Sequence, residues 1–220
     1  MNTEEKLHWD HVYSTKGVQE VSWTQEVPKT SLDFIKNFAL PKSASIIDIG
    51  GGDSKLVDFL LEEGYTDITV LDISVKALER AKARLGDKAI QVQWIVSDIT
   101  AFKPQRQYNV WHDRATFHFL TTSDQITSYF EIARQSINGY ITIGTFSENG
   151  PLKCSGLDIK QYSEQELETS FANGFKKLNC IQENHVTIMF PESRLCLQDK
   201  VRMTSVIEKS KRFLILIIIR

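Results

Sequence analysis

The residues best placed to do chemistry form one short stretch in the first quarter of the chain. A β-branched run ends in Asp48, the glycines 50–52 follow, and Asp53 comes next. Glycines at the end of a buried strand let the backbone turn sharply and approach a ligand, because no Cβ stands in the way. Two carboxylates beside such a turn disfavour an anionic pyrophosphate and favour a positively charged ligand. The stretch therefore predicts a nucleotide-binding turn for a cationic ligand.

Two more acids follow at the ends of later apolar runs. The run 68–71 ends in Asp72, 20 positions after the last glycine, and the run 92–96 is soon followed by Asp98. An acid at the first position accepts hydrogen bonds from ribose hydroxyls in nucleotide-binding folds. Asp98 is placed to accept from an adenine amino group, with the Ile99 amide facing the ring. The three strand ends predict an adenosine pocket, and the acidic turn favours S-adenosylmethionine, a sulfonium and ammonium compound, over nicotinamide or flavin cofactors.

The order and spacing of these motifs resemble the signature positions of class I S-adenosylmethionine-dependent methyltransferases, and the resemblance covers nearly the whole chain. That family usually has a further glycine where this chain has Ser54, whereas a dinucleotide fingerprint would place its third glycine at Lys55. The resemblance implies a methyltransferase enzyme with S-adenosylmethionine as cofactor. The predicted cofactor-binding positions are Asp48, Gly50, Gly51, Gly52, Ser54, Asp72, Ile73, Asp98 and Ile99 from these motifs, together with Trp23 from the segment before the first strand.

The acceptor side is predicted at the end of the fourth strand, in the stretch 111–120. Its Asp113-Arg114 pair resembles the site of thiopurine-type and related small-molecule methyltransferases, so Asp113, Arg114 and His118 are the predicted catalytic residues. His118 is the first candidate to take a proton because an imidazole titrates near neutrality, and Asp113 is the second. Arg114 either steadies an anionic acceptor or forms a structural ion pair with Asp113. His112 is expected to have a packing role.

The acceptor itself is expected to be a small molecule with a thiol, amine or carboxylate. A protein lysine methyltransferase is the second enzyme hypothesis, because some of those enzymes resemble this chain in their lid and glycine turn. A non-catalytic adenosine-binding module is the third. It would bind the cofactor or its demethylated product but turn over no acceptor.

Composition narrows the class further. The 220 residues are 41% hydrophobic and 25% charged with a formal net charge of −2, which predicts one globular domain and gives no basic surface for nucleic acid. The three cysteines suggest neither a disulfide framework nor a zinc site, and no His, Asp and Glu grouping has a metal-ligand spacing. The polar start predicts no secretory signal, and no apolar run reaches the ~20 residues needed to cross a membrane. We expect a cytoplasmic protein.

Helical and strand patterns alternate along the chain, which is typical of a parallel sheet covered on both faces. The predicted fold is α/β: a Rossmann-like, doubly wound, seven-stranded sheet, mostly parallel, with an antiparallel last strand. We expect the segments 176–186 and 213–220 to form the final hairpin. Asp53 is predicted to cap a helix over 55–63, Ser74 to cap the next helix, and Gly139 to end a helix over 123–137. Ser163 is predicted to open a further helix through a capping box with Glu166.

A single domain over 1–220 is predicted, with N-terminal lid helices in 1–40 and a cofactor-binding core in 41–220. The core includes a long connection, 189–212, for which no role follows from the sequence. Trp9, Tyr13 and Trp23 of the lid either cover the cofactor pocket or pack within a helix core. Trp23 lies in a loop-like stretch, which favours contact with ligand.

Overall fold

The computed structural model describes residues 3–17, 20–21, 23–189 and 207–219. Its helices are α1 (Thr3–Thr15), α2 (Lys29–Asn37), α3 (Leu56–Glu62), α4 (Val75–Leu85), α5 (Ser123–Ser136) and α6 (Glu164–Phe171). Its strands are β1 (Ser45–Ile49), β2 (Asp67–Asp72), β3 (Val92–Val96), β4 (Tyr108–Arg114), β5 (Ile137–Phe146), β6 (Lys153–Cys154), β7 (Leu157–Asp158), β8 (Lys176–Met189) and β9 (Ile207–Ile219).

Seven strands form one sheet in the order β3-β2-β1-β4-β5-β9-β8, and β6 and β7 form a separate two-stranded hairpin. The pairs from β3 to β5 are parallel, while β9 runs antiparallel to both of its neighbours. The predicted α/β fold with an antiparallel last strand is therefore confirmed. The chain order reverses between β1 and β4, which is where doubly wound sheets bind their ligands.

Helices cover both faces of the sheet because successive strand side chains point to opposite sides. On one face Ile47, Ile49 and Trp111 pack against α5 and α6. On the other, Ile46 and Val110 pack against α2, α3 and α4. This alternation decides which helix each polar residue at a strand end can meet.

The helix caps agree with the sequence at two positions and differ at a third. The Ser74 hydroxyl accepts from the Ala77 amide at the start of α4, as expected. Ser163 begins α6 with a capping box to Glu166, also as expected. Asp53 does not cap α3, so that prediction was wrong.

Gly139 was also misassigned. It lies within β5 rather than ending α5, which stops at Ser136. An ideal Cβ on Gly139 would lie 2.2 Å from the Asn109 carbonyl oxygen of the neighbouring strand. The lack of a Cβ on Gly139 therefore lets β5 approach β4 closely. In the sequence, a glycine placed there for this reason looks the same as one that ends a helix.

The final hairpin is longer than predicted. Its strands β8 and β9 pair from Lys176 with Ile219 to Met189 with Ile207, so they take up both ends of the expected 189–212 connection. The remainder of that connection, 190–206, lies outside the described residues. Among the described helices, none is long and apolar enough to cross a membrane.

Candidate functional site

One cavity opens at the carboxyl ends of the central strands, and it gathers most of the predicted site. The lining includes Trp23, Asp48, Gly50, Gly51, Ser54, Asp72, Ile73, Asp98, Ile99, Arg114 and His118. The lining does not include Gly52 and Asp113. The strand ends that the sequence linked by spacing are thus brought together around a single space.

The glycine turn cannot carry side chains at its three positions. An ideal Cβ on Gly50 would lie 1.8 Å from the Thr116 hydroxyl oxygen, and one on Gly51 would lie 2.6 Å from Asp48 Oδ2. A Cβ on Gly52 would lie 2.8 Å from Tyr13 Oη. Gly50 and Gly52 also have positive φ angles of 62° and 46°. The turn therefore brings bare backbone to the cavity edge.

Asp72 ends β2 as a buried carboxyl group. It accepts a hydrogen bond from the Ser74 amide at 2.7 Å, and the Gly52 amide also donates to it. Burial is the main cause that raises the pKa of Asp72 to about 7, with a further contribution from Asp48. An acceptor at this strand end suits a partner that donates, as ribose hydroxyls do.

Asp98 is buried and shapes the loop after β3. Its Oδ1 accepts from both the amide and the hydroxyl of Thr100, at 2.8 and 2.7 Å. These bonds begin a short 3₁₀ turn over Ile99–Ala101. The predicted contact of Asp98 with an adenine amino group stays a prediction, and the turn that Asp98 forms holds Ile99 at the cavity wall.

The prediction that Asp48 and Asp53 both favour a cationic ligand holds only for Asp48. Asp53 forms an ion pair with Arg84 and lies 3.6 Å from Nε of Arg80, so its charge is compensated within the protein. Asp48 instead lies buried at the end of β1, where its Oδ1 is 2.7 Å from His112 Nδ1. The electrostatic preference for a cationic ligand therefore belongs to Asp48.

His112 has both ring nitrogens bonded, as its expected packing role requires. Nε2 lies 2.8 Å from the Ser31 hydroxyl of α2. Yet Ser31 and His112 also line the cavity beside Asp48, a placement that the sequence analysis missed. The pairing of Asp48 with His112 follows from the register of β1 and β4, in which these residues are neighbours. No spacing rule gives that register in advance.

Aromatic residues from the N-terminal segment cover the cavity. The Trp9 ring lies 5.9 Å from Trp23, 6.3 Å from Tyr13 and 5.2 Å from Phe119, measured between ring centroids. All four line the cavity. The pKa of the Tyr13 hydroxyl is raised by burial and by the nearby Asp72 and Asp53 charges. We call these four residues the aromatic cover.

The helix α1, which carries Trp9 and Tyr13, contacts the start of α4 through Asp10. Asp10 Oδ1 accepts from the Ser74 hydroxyl at 2.7 Å and from the Lys76 amide at 3.2 Å, while Oδ2 pairs with Lys6. Burial alone would raise the pKa of Asp10, but these hydrogen bonds lower it. Asp10 thus connects α1 to the N-terminus of α4, beside Asp72.

Asp113 is fully buried at the end of β4 and does not line the cavity. Its Oδ1 accepts from the amides of Thr116 and Phe117 at 2.9 and 3.2 Å, and its Oδ2 accepts from Tyr129 Oη at 2.8 Å. Burial raises the pKa of Asp113 to about 6. These contacts support the turn after β4, which includes Ala115 at a positive φ of 77°.

Arg114 and His118 lie on opposite sides of that turn, and both reach the cavity. Arg114 Nη1 donates to the Trp23 carbonyl oxygen at 3.2 Å, and burial lowers the pKa of its guanidinium. His118 is fully buried with its ring 4.7 Å from Phe146 and 4.4 Å from Phe119. Cys154 of the β6–β7 hairpin joins the same wall. Within the described ranges, no group of three or more His, Cys, Asp or Glu could hold a metal ion.

Comparison with known proteins indicates a methyltransferase domain. Residues 46–137 match the family described as "Methyltransferase domain". A malonyl-[acyl-carrier protein] O-methyltransferase of Anoxybacillus flavithermus is 32% identical over 130 residues, covering 58% of this chain and 44% of that protein. An eEF1A lysine and N-terminal methyltransferase homolog of Drosophila melanogaster is 26% identical over 152 residues, covering 64% of this chain and 22% of that protein. The chain spans less than half the length of these curated relatives.

A solved S-adenosylmethionine-dependent methyltransferase from Anabaena variabilis shares the fold. The TM-score is 0.73 at 13% identity, with 100% of this chain and 95% of that chain covered. The glycine turn, the matching domain and this fold together support a class I S-adenosylmethionine-dependent methyltransferase. The site fits S-adenosylmethionine as the cofactor, because the glycine turn leaves a cradle that any Cβ would fill, beside the buried acceptor Asp72.

Proposed function

We propose that this protein transfers a methyl group from S-adenosylmethionine to a small-molecule acceptor that carries a thiol, an amine or a carboxylate, in the cytoplasm. The observation that carries the proposal is the continuity of the cavity. Its cofactor wall, from Asp48 to Ile99, joins a second wall that contains Arg114, His118 and Phe146 beneath the aromatic cover. A donor and an acceptor held next to each other in one cavity would meet the main requirement of an in-line transfer.

On the cofactor wall, Asp72 would accept hydrogen bonds from the ribose hydroxyls, and Ile73, Asp98 and Ile99 would hold the adenine. The cofactor, when bound, supplies an already activated methyl group on its sulfonium sulfur. The protein therefore contributes mainly alignment and exclusion of water. The half-buried rings of Trp9, Tyr13 and Trp23 would exclude that water.

On the acceptor wall, Arg114 would bind an anionic group and His118 would take a proton from an acceptor that must lose one. A guanidinium in a buried site binds carboxylates through paired N–H donors. Asp113 does not line the cavity, so we assign it the support of the turn that carries both residues. The name of the Anoxybacillus relative describes O-methylation of a malonyl group, and this supports a carboxylate among the candidate acceptors.

A protein lysine methyltransferase is the second proposal. It is favoured by the Drosophila relative, whose name describes lysine and N-terminal methylation and whose match spans 64% of this chain. A non-catalytic adenosine-binding module would keep the cofactor wall but gain nothing from Arg114 or His118.

The first experiment is a calorimetric titration with S-adenosylmethionine, S-adenosylhomocysteine and a nicotinamide dinucleotide. Micromolar binding of the first two, about −8 kcal/mol, is expected, without binding of the third. A screen with radiolabelled methyl donor then follows across thiols, amines, carboxylates and lysine peptides. Turnover of peptides alone would support the second proposal, and binding with no turnover would support the module.

Variants of Arg114 and His118 test the roles proposed for the acceptor wall. Arg114→Gln should raise KM for carboxylate acceptors, and His118→Asn should lower kcat for thiols and amines. Arg106→Gln is the matched control, because Arg106 is an exposed arginine that pairs with Asp67 and does not line the cavity. Equal effects of Arg114→Gln on charged and neutral acceptors would contradict anion binding.

A further inference from the structure

Three polar side chains form a continuous hydrogen-bonded chain at the floor of the cavity. Ser31 Oγ of α2 lies 2.8 Å from His112 Nε2, and His112 Nδ1 lies 2.7 Å from Asp48 Oδ1. The three residues are only 5%, 3% and 3% exposed, in the order Ser31, Asp48 and His112, although all line the cavity. We call this set the Ser31–His112–Asp48 chain.

The direction of the hydrogen bonds follows from the chemistry of the groups. An ionised carboxylate only accepts, so His112 Nδ1 is the protonated nitrogen and donates to Asp48. In the neutral ring Nε2 is then the acceptor, and the Ser31 hydroxyl donates to it. A ring bonded at both ends has one orientation, which in turn limits the rotation of the carboxylate.

The second oxygen of Asp48 faces the glycine turn. An ideal Cβ on Gly51 would lie 2.6 Å from Asp48 Oδ2, so this oxygen is directly against the turn. Oδ1 is turned the other way, towards His112. Other charged groups also act here, since the Asp48 and Glu183 charges both affect the titration of Arg114. His112 therefore supports one side of a buried carboxylate whose other side is presented at the cofactor cradle.

We propose that His112, held by Ser31, is a positioning residue that keeps the Asp48 carboxylate aimed at the glycine turn, where it recognises the ammonium end of the cofactor. This inference rests on the proposed function, in particular on the cofactor wall. It differs from a packing role in one respect. A packing residue stabilises the whole fold, whereas this role discriminates between ligands with and without the charged amino acid group.

The test compares two ligands by calorimetry: S-adenosylhomocysteine, which has the ammonium group, and 5′-methylthioadenosine, which lacks the amino acid part. His112→Phe should raise the Kd of the first about tenfold, the scale of one hydrogen bond to a charged group, and leave the second unchanged. His112→Asn should restore much of the loss, because its amide nitrogen can donate from near the Nδ1 position. Ser31→Ala should give a smaller loss of the same kind.

Two controls separate the interpretations. His11→Phe makes the same exchange at an exposed histidine on α1. In an Asp48→Asn background, His112→Phe should add no further loss for S-adenosylhomocysteine, because positioning through Asp48 makes the two effects non-additive.

Several outcomes would overturn the inference. They are equal losses for both ligands, an unchanged Kd in His112→Phe, and additive losses in the double variant. If His112→Phe does not fold, Ser31→Ala still decides, because it should weaken binding of S-adenosylhomocysteine while leaving the affinity for 5′-methylthioadenosine unchanged. Failure of the wild-type protein to bind S-adenosylhomocysteine would remove the cofactor proposal itself, which keeps the two failures distinguishable.

Discussion

At the scale of single residues, the acids of the site have different environments and therefore different tasks. Asp53 is compensated by arginines, Asp98 shapes its own turn, and Asp48 is supported by a histidine. Asp72 and Asp113 are the two carboxyls whose pKa burial raises clearly. These differences, rather than the number of acids, decide what each one contributes to binding.

Asp72 is expected to make cofactor binding dependent on pH. Its pKa of about 7 means that the carboxyl is partly neutral at neutral pH, and a neutral carboxyl accepts less well than a carboxylate. We expect the affinity for S-adenosylhomocysteine to rise from about pH 6 to about pH 8, with the slope removed in Asp72→Asn. Calorimetry at each pH measures this, and a slope that survives in the variant would assign it to another group.

The same group has an opposite effect on folding. Its pKa is raised from 3.8 to about 7 in the folded state, so the folded protein holds the proton more tightly than the unfolded chain. The associated stability is complete at acid pH and is lost as the pH rises through about 7. As the pH rises through about 7, the ligand affinity is therefore expected to rise while the free energy of unfolding falls.

Asp113 should be a stability residue. Asp113→Ala leaves two buried amides and the Tyr129 hydroxyl without their acceptor, so we expect a loss of about 2–4 kcal/mol in the free energy of unfolding. Urea denaturation measures it, with Glu131→Ala, an exposed acid on α5, as the control. A variant as stable as the wild type but slow in transfer would return Asp113 to a direct catalytic role.

At the scale of elements, the helix α1 is attached to the cap of α4 by hydrogen bonds to Asp10. Asp10→Ala removes the acceptor for Ser74 and Lys76, so the amides of α1 should exchange with solvent faster and S-adenosylhomocysteine should bind more weakly. Hydrogen exchange of residues 3–15 and calorimetry measure the two effects.

Asp33→Ala is the matched control, because Asp33 forms an exposed i, i+4 ion pair with Lys29. Such a pair contributes less than about 1 kcal/mol to the free energy of unfolding. Faster exchange in α1 without any change in affinity would mean that the helix does not act as a lid. The lid role of residues 1–40 stays a prediction until then.

At the scale of the whole molecule, the cofactor should stabilise the fold by mass action. S-adenosylhomocysteine at 100 times its Kd is expected to add about 2.7 kcal/mol and to raise Tm by several degrees, while a nicotinamide dinucleotide at the same concentration leaves Tm unchanged. Differential scanning calorimetry distinguishes these outcomes. A rise with the dinucleotide alone would contradict S-adenosylmethionine as the cofactor.

The sequence by itself determined the order of the elements, and it indicated the methyltransferase class and the cofactor. The motifs ending in Asp48, Asp72 and Asp98 are local, since each is a strand followed by a turn. Local patterns of this kind can be recognised in the sequence alone. The caps Ser74 and Ser163 were found for the same reason. The helix-stop assignment of Gly139 failed because this glycine is required by the neighbouring strand, where a Cβ would lie 2.2 Å from the Asn109 carbonyl oxygen, and not by the end of α5.

Only the tertiary structure decided which polar groups meet. The register between β1 and β4 joins Asp48 to His112, and the packing of α2 adds Ser31. The fold of the chain also compensates Asp53 with Arg84 and buries Asp113 beneath the acceptor turn instead of exposing it. Such contacts depend on residues far apart in the chain, and a change of register by one residue would place each side chain on the other face of the sheet.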